Sequence, residues 1–132
     1  MNTDQHLRWA ITTDLIGLRG RVSGVATEAG LRGHRLNDLV TAVNEAVINV
    51  LEHGGGDGLV EIWYDADGIT VEVTDSAGTL KPQDIHRSRP SSSTPRGFGL
   101  WLMGQLCDEF SISQMVGRSR IRLRMTLAQS PR

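Results

Sequence analysis

A chain of 132 residues, 39% of them apolar, suits one domain with a single modest core. Its net charge of −1 gives no bulk attraction to nucleic acid or to an anionic membrane. The lone Cys107 excludes an intrachain disulfide and fits a reducing cytoplasm, while no apolar run reads as a signal peptide or is long enough to span a bilayer.

His6 to Ile11 alternates polar and apolar residues, the pattern of a short strand. Thr12, Thr13 or Asp14 can cap a following helix with apolar positions Leu15, Ile16, Leu18, Val22, Val25, Ala26 and Ala29. Gly17, Gly20 and Gly24 each lower its intrinsic stability by roughly 1 kcal/mol relative to alanine, so it depends on packing. The longest helical pattern runs from Leu36 to about His53. Leu36, Leu39, Val40, Val43, Ala46, Val47, Val50 and Leu51 form one face, and Asp38, Thr41, Glu45, Asn49 and Glu52 form a polar stripe. Gly54-Gly55-Gly56 breaks the helix.

Leu59–Tyr64 and Ile69–Asp75 read as two strands joined by a hairpin turn at Asp65-Ala66-Asp67-Gly68. Ser76 to Pro95 is polar and rich in serine, and a loop of that length in so small a domain is usually functional or mobile. Gly97-Phe98-Gly99 opens a helix over Leu100–Asp108. Phe110–Met115 and Ser119–Leu127 are strands around a turn at Gly117. In the last, Ile121, Leu123, Met125 and Leu127 face one way and Arg120, Arg122, Arg124 and Thr126 the other. The predicted fold is α+β: a two-layer sandwich over residues 1–132, with a mostly antiparallel sheet, helices on one face, and the other face polar and wet.

Several residues could carry chemistry. Glu45 and Asn49 stand four apart on a helix and are neighbours, able to serve a proton and a metal ion or to form an ordinary solvated face. Asp75 continues the inward phase of Ile69, Val71 and Val73. A carboxylate there needs donors, of which a ligand amine is one candidate; alternatively it only opens a turn. Gly97-Phe98-Gly99, preceded by Arg96, can make an anion site at a helix N-terminus. His53 can complement the C-terminal end of its helix, and Cys107 reads as core. Trp9, Trp63 and Trp101 read as packing or interface residues. There is no Walker-type loop, no G-x-S-x-G elbow and no cysteine pair for structural zinc.

Glu45-Ala46-x-x-Asn49-x-x-x-His53-Gly54, then Val73-Thr74-Asp75, a long loop and Gly97-Phe98-Gly99-Leu100 form an ordered set. Together they resemble the GHKL ATPase superfamily over nearly the whole chain, with the match closest to the anti-sigma-factor serine/threonine kinases of the SpoIIAB and RsbW type. The resemblance implies ATP and Mg²⁺ as cofactors, Asn49 as metal ligand and Asp75 as acceptor for the adenine amine. It implies a phosphate cradle from Gly97, Phe98, Gly99 and Leu100, with an ATP lid over about residues 76–96. Arg87, Arg89 or Arg96 would reach the γ-phosphate, and Glu45 would be the general base. The implied partners are an alternative sigma factor and a STAS anti-anti-sigma protein; no direct nucleic acid or membrane contact is implied, and a homodimer is left open.

Histidine kinases commonly carry asparagine where Glu45 stands, and the roughly 35 residues before the helix leave no room for their phosphoacceptor hairpin. The glycine box departs from the family pattern. Asp75-Ser76-Ala77-Gly78-Thr79 has Ala77 and Thr79 in place of two glycines, with Gly78 between them. Either alanine or threonine is strained if its position needs positive φ, unless the turn is shifted by one residue. The alternative function is therefore a kinase-inactive binding module of the same fold with weak or no nucleotide binding. Ser119 is the candidate for a hydroxyl behind Asp75.

Overall fold

The computed structural model describes residues 6–85 and 97–127. Five strands form one sheet in the order β1-β2-β3-β5-β4, with every neighbouring pair antiparallel. The strands are β1 (His6–Ala10), β2 (Gly58–Tyr64), β3 (Gly68–Asp75), β4 (Glu109–Met115) and β5 (Arg118–Thr126). Helices α1 (Leu15–Ala29), α2 (Gly33–His53) and α3 (Gly97–Leu106) complete the fold, and a short 3₁₀ turn covers Pro82–Asp84. The two-layer α+β architecture is the predicted one.

Helix α2 is central. It packs on α1, on α3 and on strands β3 and β5. Leu39, Ala42, Val43, Ala46 and Val47 are at most 1% exposed, as are Ile69, Val71, Val73, Leu123 and Met125 of the sheet. Full burial of one such aliphatic side chain stabilises by about 1.5–3 kcal/mol. The helix starts at Gly33, three residues before the first periodic apolar residue. Its polar first turn carries no hydrophobic signal and is held by a tertiary contact. Arg35 forks onto Asp108, with Nη2 2.6 Å from Oδ2, and also donates to the Thr126 carbonyl at 2.7 Å.

The same contact explains the end of α3, which stops at Leu106 rather than Asp108. Asp108 leaves the helix to accept from the Thr126 backbone N–H at 2.7 Å and the Thr126 hydroxyl at 2.8 Å. Its pKa is held down to about 2, first by the hydrogen bond from Arg35. Asp14 is the cap of α1, accepting from the Gly17 N–H at 2.9 Å. Ile16, expected on the apolar face of α1, is instead 77% exposed, because Leu18, Val22, Val25 and Ala26 take the buried side.

The outward face of the sheet is less wet than expected. Thr70, Glu72 and Thr74 point away from the helices, yet each is buried. Arginines of β5 lie over them: Arg124 donates to the Thr70 hydroxyl at 2.7 Å and Arg122 to Glu72 at 3.3 Å. A buried carboxylate is costly unless paired, and this pairing accounts for Glu72 in mid-strand. Cys107 is buried as expected, and its thiol is pushed up to about 12 by desolvation.

Candidate functional site

The polar stripe of α2 does not face open solvent along its C-terminal half. The N-terminal turn of α3 stands opposite it. Glu45, Ile48, Asn49, Glu52 and His53 from α2 and Gly99, Leu100 and Met103 from α3 enclose a cleft of about 80 Å³. Asn49 is only 9% exposed. Burial also desolvates Glu45 and raises its pKa, with the charge of Glu52 adding to the rise. Gly99 lets the two helices close: a Cβ there would lie 3.3 Å from Glu45 Oε1. The helix dipole makes the N-terminal end of α3, at this end of the cleft, electropositive.

A second cluster lies beyond the C-terminal end of α2. Asp75 ends β3 on the inward phase and is 5% exposed. Its Oδ1 accepts three backbone N–H groups: Ala77 at 3.1 Å, Gly78 at 2.9 Å and Ser119 at 3.1 Å. Asp75 is therefore inward-facing and also organises the turn that follows it. Its donors are backbone amides, and they all fall on one oxygen. A single remaining oxygen can accept from a ligand N–H.

The clusters meet at Gly54, which follows His53. A Cβ on Gly54 would come within 2.9 Å of the Asp75 Cβ and 3.1 Å of its Oδ2. The Gly54 N–H closes α2 on the Val50 carbonyl. Helix α2 thus passes from the Glu45–Asn49 cleft to Asp75 without a side chain intervening.

The altered glycine box is accommodated by a shift of one position. Gly78 has φ +70°, and among the described residues no residue other than glycine has positive φ. A Cβ at Gly78 would also lie 2.6 Å from the Arg118 amide nitrogen. Ala77 and Thr79 occupy ordinary backbone conformations, so neither is strained. Leu80, inside the expected polar loop, is 2% exposed and anchors the start of that segment in the core.

Some predicted residues sit differently from expectation. The Ser119 hydroxyl does not back Asp75; it donates to the Leu80 carbonyl at 2.6 Å, and Ser119 reaches Asp75 through its backbone amide. That register follows from β5, where Ser119 shares the inward phase of Ile121. Gly97 is buried at the start of α3, whereas Phe98 is 42% exposed and packs its ring on Trp101 at 5.7 Å. His53 lines the cleft edge and lies 3.9 Å from Glu52. Arg87, Arg89 and Arg96 lie outside the described residues. Glu52, placed on the polar stripe with Glu45 but given no role there, lines the cleft, and Gly54, read only as part of the helix break and the motif, is the point of contact with Asp75.

The family described as Histidine kinase-like ATPase domain matches residues 9–127. The chain belongs to this family. The histidine kinase-like ATPase assignment is joined by curated relatives named Serine-protein kinase RsbW. The one from Bacillus velezensis is 31% identical over 113 residues, taking in 76% of this chain and 71% of the relative. The one from Bacillus subtilis is 29% identical over the same span. A crystal structure of the RsbU and RsbW domains of Rv1364c from Mycobacterium tuberculosis superimposes with a TM-score of 0.71 at 19% identity. That match covers 99% of this chain and 34% of that longer one, and it establishes a shared fold. The fold is thus of the GHKL anti-sigma-kinase kind. Among the described residues no helix is long and apolar enough to cross a membrane.

The side chains suit a nucleotide and Mg²⁺ by donor chemistry. Asn49 and the neighbouring carboxylates offer the oxygen donors a hard cation takes. Among the described residues no cluster of His, Cys, Asp and Glu could enclose a metal ion by itself.

Proposed function

We propose that this chain is an ATP- and Mg²⁺-dependent serine/threonine protein kinase that holds an alternative sigma factor and phosphorylates a STAS anti-anti-sigma antagonist. The observation that carries the proposal is the pairing of a buried Asn49 with a desolvated Glu45 opposite the N-terminus of α3. When bound, Mg-ATP supplies the transferable phosphoryl group and the ion offsets its charge. Asn49 would hold the ion, and Asp75, whose backbone donors all fall on Oδ1, would accept from the adenine amine. Gly97, Gly99 and Leu100 would present backbone amides to the phosphates, and the segment over about residues 76–96 would be the lid, with Arg87, Arg89 or Arg96 the candidate for the γ-phosphate.

Glu45 removes the proton from the substrate hydroxyl as that oxygen bonds the phosphoryl group and ADP departs. A carboxylate with a raised pKa is a better base than an exposed one, which suits this step. Positioning and charge neutralisation supply most of the remaining catalysis in phosphoryl transfer. Gly78 supports this reading over an inactive binding module, because it supplies the left-handed turn that Ala77 and Thr79 cannot.

The test is a calorimetric titration with Mg-ATP, followed by transfer from labelled ATP to candidate STAS proteins. Micromolar binding with transfer to a serine is expected. Absence of nucleotide binding up to millimolar Mg-ATP would leave the binding-module reading in its place.

A further inference from the structure

A groove of about 490 Å³ opens on the face of the sheet away from the helices, behind Asp75. Leu59, Glu61, Thr74, Arg118 and Arg120 line it. This volume is far larger than a single ion or water needs and lies in the range that takes several connected groups.

The charges around it are unevenly matched. Glu61 is taken up by Arg8 at 3.6 Å and His6 at 3.1 Å. Glu72 is shared between Arg122 at 3.3 Å and Arg120 at 3.7 Å. The latter distance is beyond hydrogen-bond range, and the buried Nε–H of Arg120 has no acceptor. Arg118 is exposed and, among the described residues, forms no ion pair. One wall of the groove therefore carries the unpaired guanidinium of Arg118 beside that of Arg120, which Glu72 engages only at 3.7 Å, over a floor that includes Thr74. Arg118 and Arg120 project from one face of β5, two residues apart, or about 6.7 Å along a strand.

We infer that this groove binds an extended acidic segment of a partner protein, with carboxylates two residues apart seated on Arg118 and Arg120. An extended chain repeats its side chains on one face every second residue, which matches the spacing of the two arginines. Guanidinium groups favour carboxylates through paired N–H donors. Leu59 gives the segment an apolar contact beside the charges. The site lies on the opposite face of the sheet from Glu45 and Asn49, so it does not share the proposed base and metal ligand. It borders the nucleotide side directly, because Asp75 and Ser76 also line the groove, and Ser119, between the two arginines, donates to Asp75 through its backbone amide.

The test uses a blocked pentapeptide with glutamate at its second and fourth positions, titrated at low salt into ¹⁵N-labelled protein. A counterpart with glutamine at both positions and inorganic phosphate are titrated separately. Saturable shifts at Thr74 and Gly117–Arg120 are expected with the glutamate peptide, with at least tenfold weaker binding of the glutamine peptide. Arg118→Ser and Arg120→Gln should each weaken the glutamate peptide at least tenfold, whereas Arg21→Ser should not. Arg118→Ser removes no described contact, so its fold is expected to survive. Equal affinity in Arg118→Ser, equal affinity for the glutamine peptide, or no saturation at millimolar peptide would overturn the inference. So would phosphate binding as tightly at the same residues, which would reduce the groove to a simple anion site. Asn49→Ala should bind the peptide normally even if nucleotide binding is lost.

Discussion

Burial gives Glu45 its character. Desolvation first, and then the Glu52 charge, raises its pKa, so the ionised form is disfavoured in the folded protein. The sign follows from linkage: a carboxylate with a raised folded pKa favours the fold at low pH and opposes it as pH rises through that value. Glu45→Gln is therefore expected to raise the melting temperature at pH 7, with the gain shrinking towards pH 4 in a series of thermal melts. The same variant should keep Mg-ATP affinity and lose phosphoryl transfer by about 10²–10⁴-fold. Asn49→Ala should do the reverse in binding, weakening Mg-ATP at least about tenfold by calorimetry; equal affinity would remove Asn49 as the metal ligand. Gly78→Ala meets both positive φ and the Arg118 backbone. It should cost about 1–3 kcal/mol in urea unfolding.

At the scale of elements, strand phase was the most informative signal. Period-2 alternation placed Asp75 inward with Ile69, Val71 and Val73, and it is buried there. Helical periodicity found the buried face of α2 but not its start at Gly33, because Gly33, His34 and Arg35 carry no apolar pattern. Their order depends on Arg35 meeting Asp108, 73 residues away, which no local window contains. The outward face of β3 misled for a similar reason, since its cover comes from arginines on another strand. Glu45 and Asn49 were legible as a pair, but their enclosure depends on α3, and the role of Gly54 depends on what lies opposite it.

The Arg35–Asp108 junction gives a prediction at this scale. A carboxylate held at about 2 stabilises the fold above its unfolded pKa of about 3.9 and loses that contribution as pH falls towards 2. Asp108→Asn should lower the melting temperature at pH 6, and its gap from the wild type should close between about pH 4 and pH 2. A gap that stays constant through that window would show that the charge of Asp108 is not what secures the junction.

The whole molecule should respond to nucleotide as one unit if α2 carries both halves of the site. A ligand bound only to the folded state at one hundred times its Kd adds about 2.7 kcal/mol. Mg-ATP should raise the melting temperature accordingly, and Asn49→Ala should abolish most of that rise at the same concentration. The Asp108 junction also bears on time. It joins the start of α2, the turn before β4 and the end of β5, segments separated by 73 and 18 residues. Contacts that close such long stretches of chain gain little until the rest of the structure has gathered, so they belong late in folding. Asp108→Asn should then leave the refolding rate nearly unchanged and speed unfolding, visible as a shift in one arm of the chevron. On that account the junction acts as a latch on the lifetime of the native state.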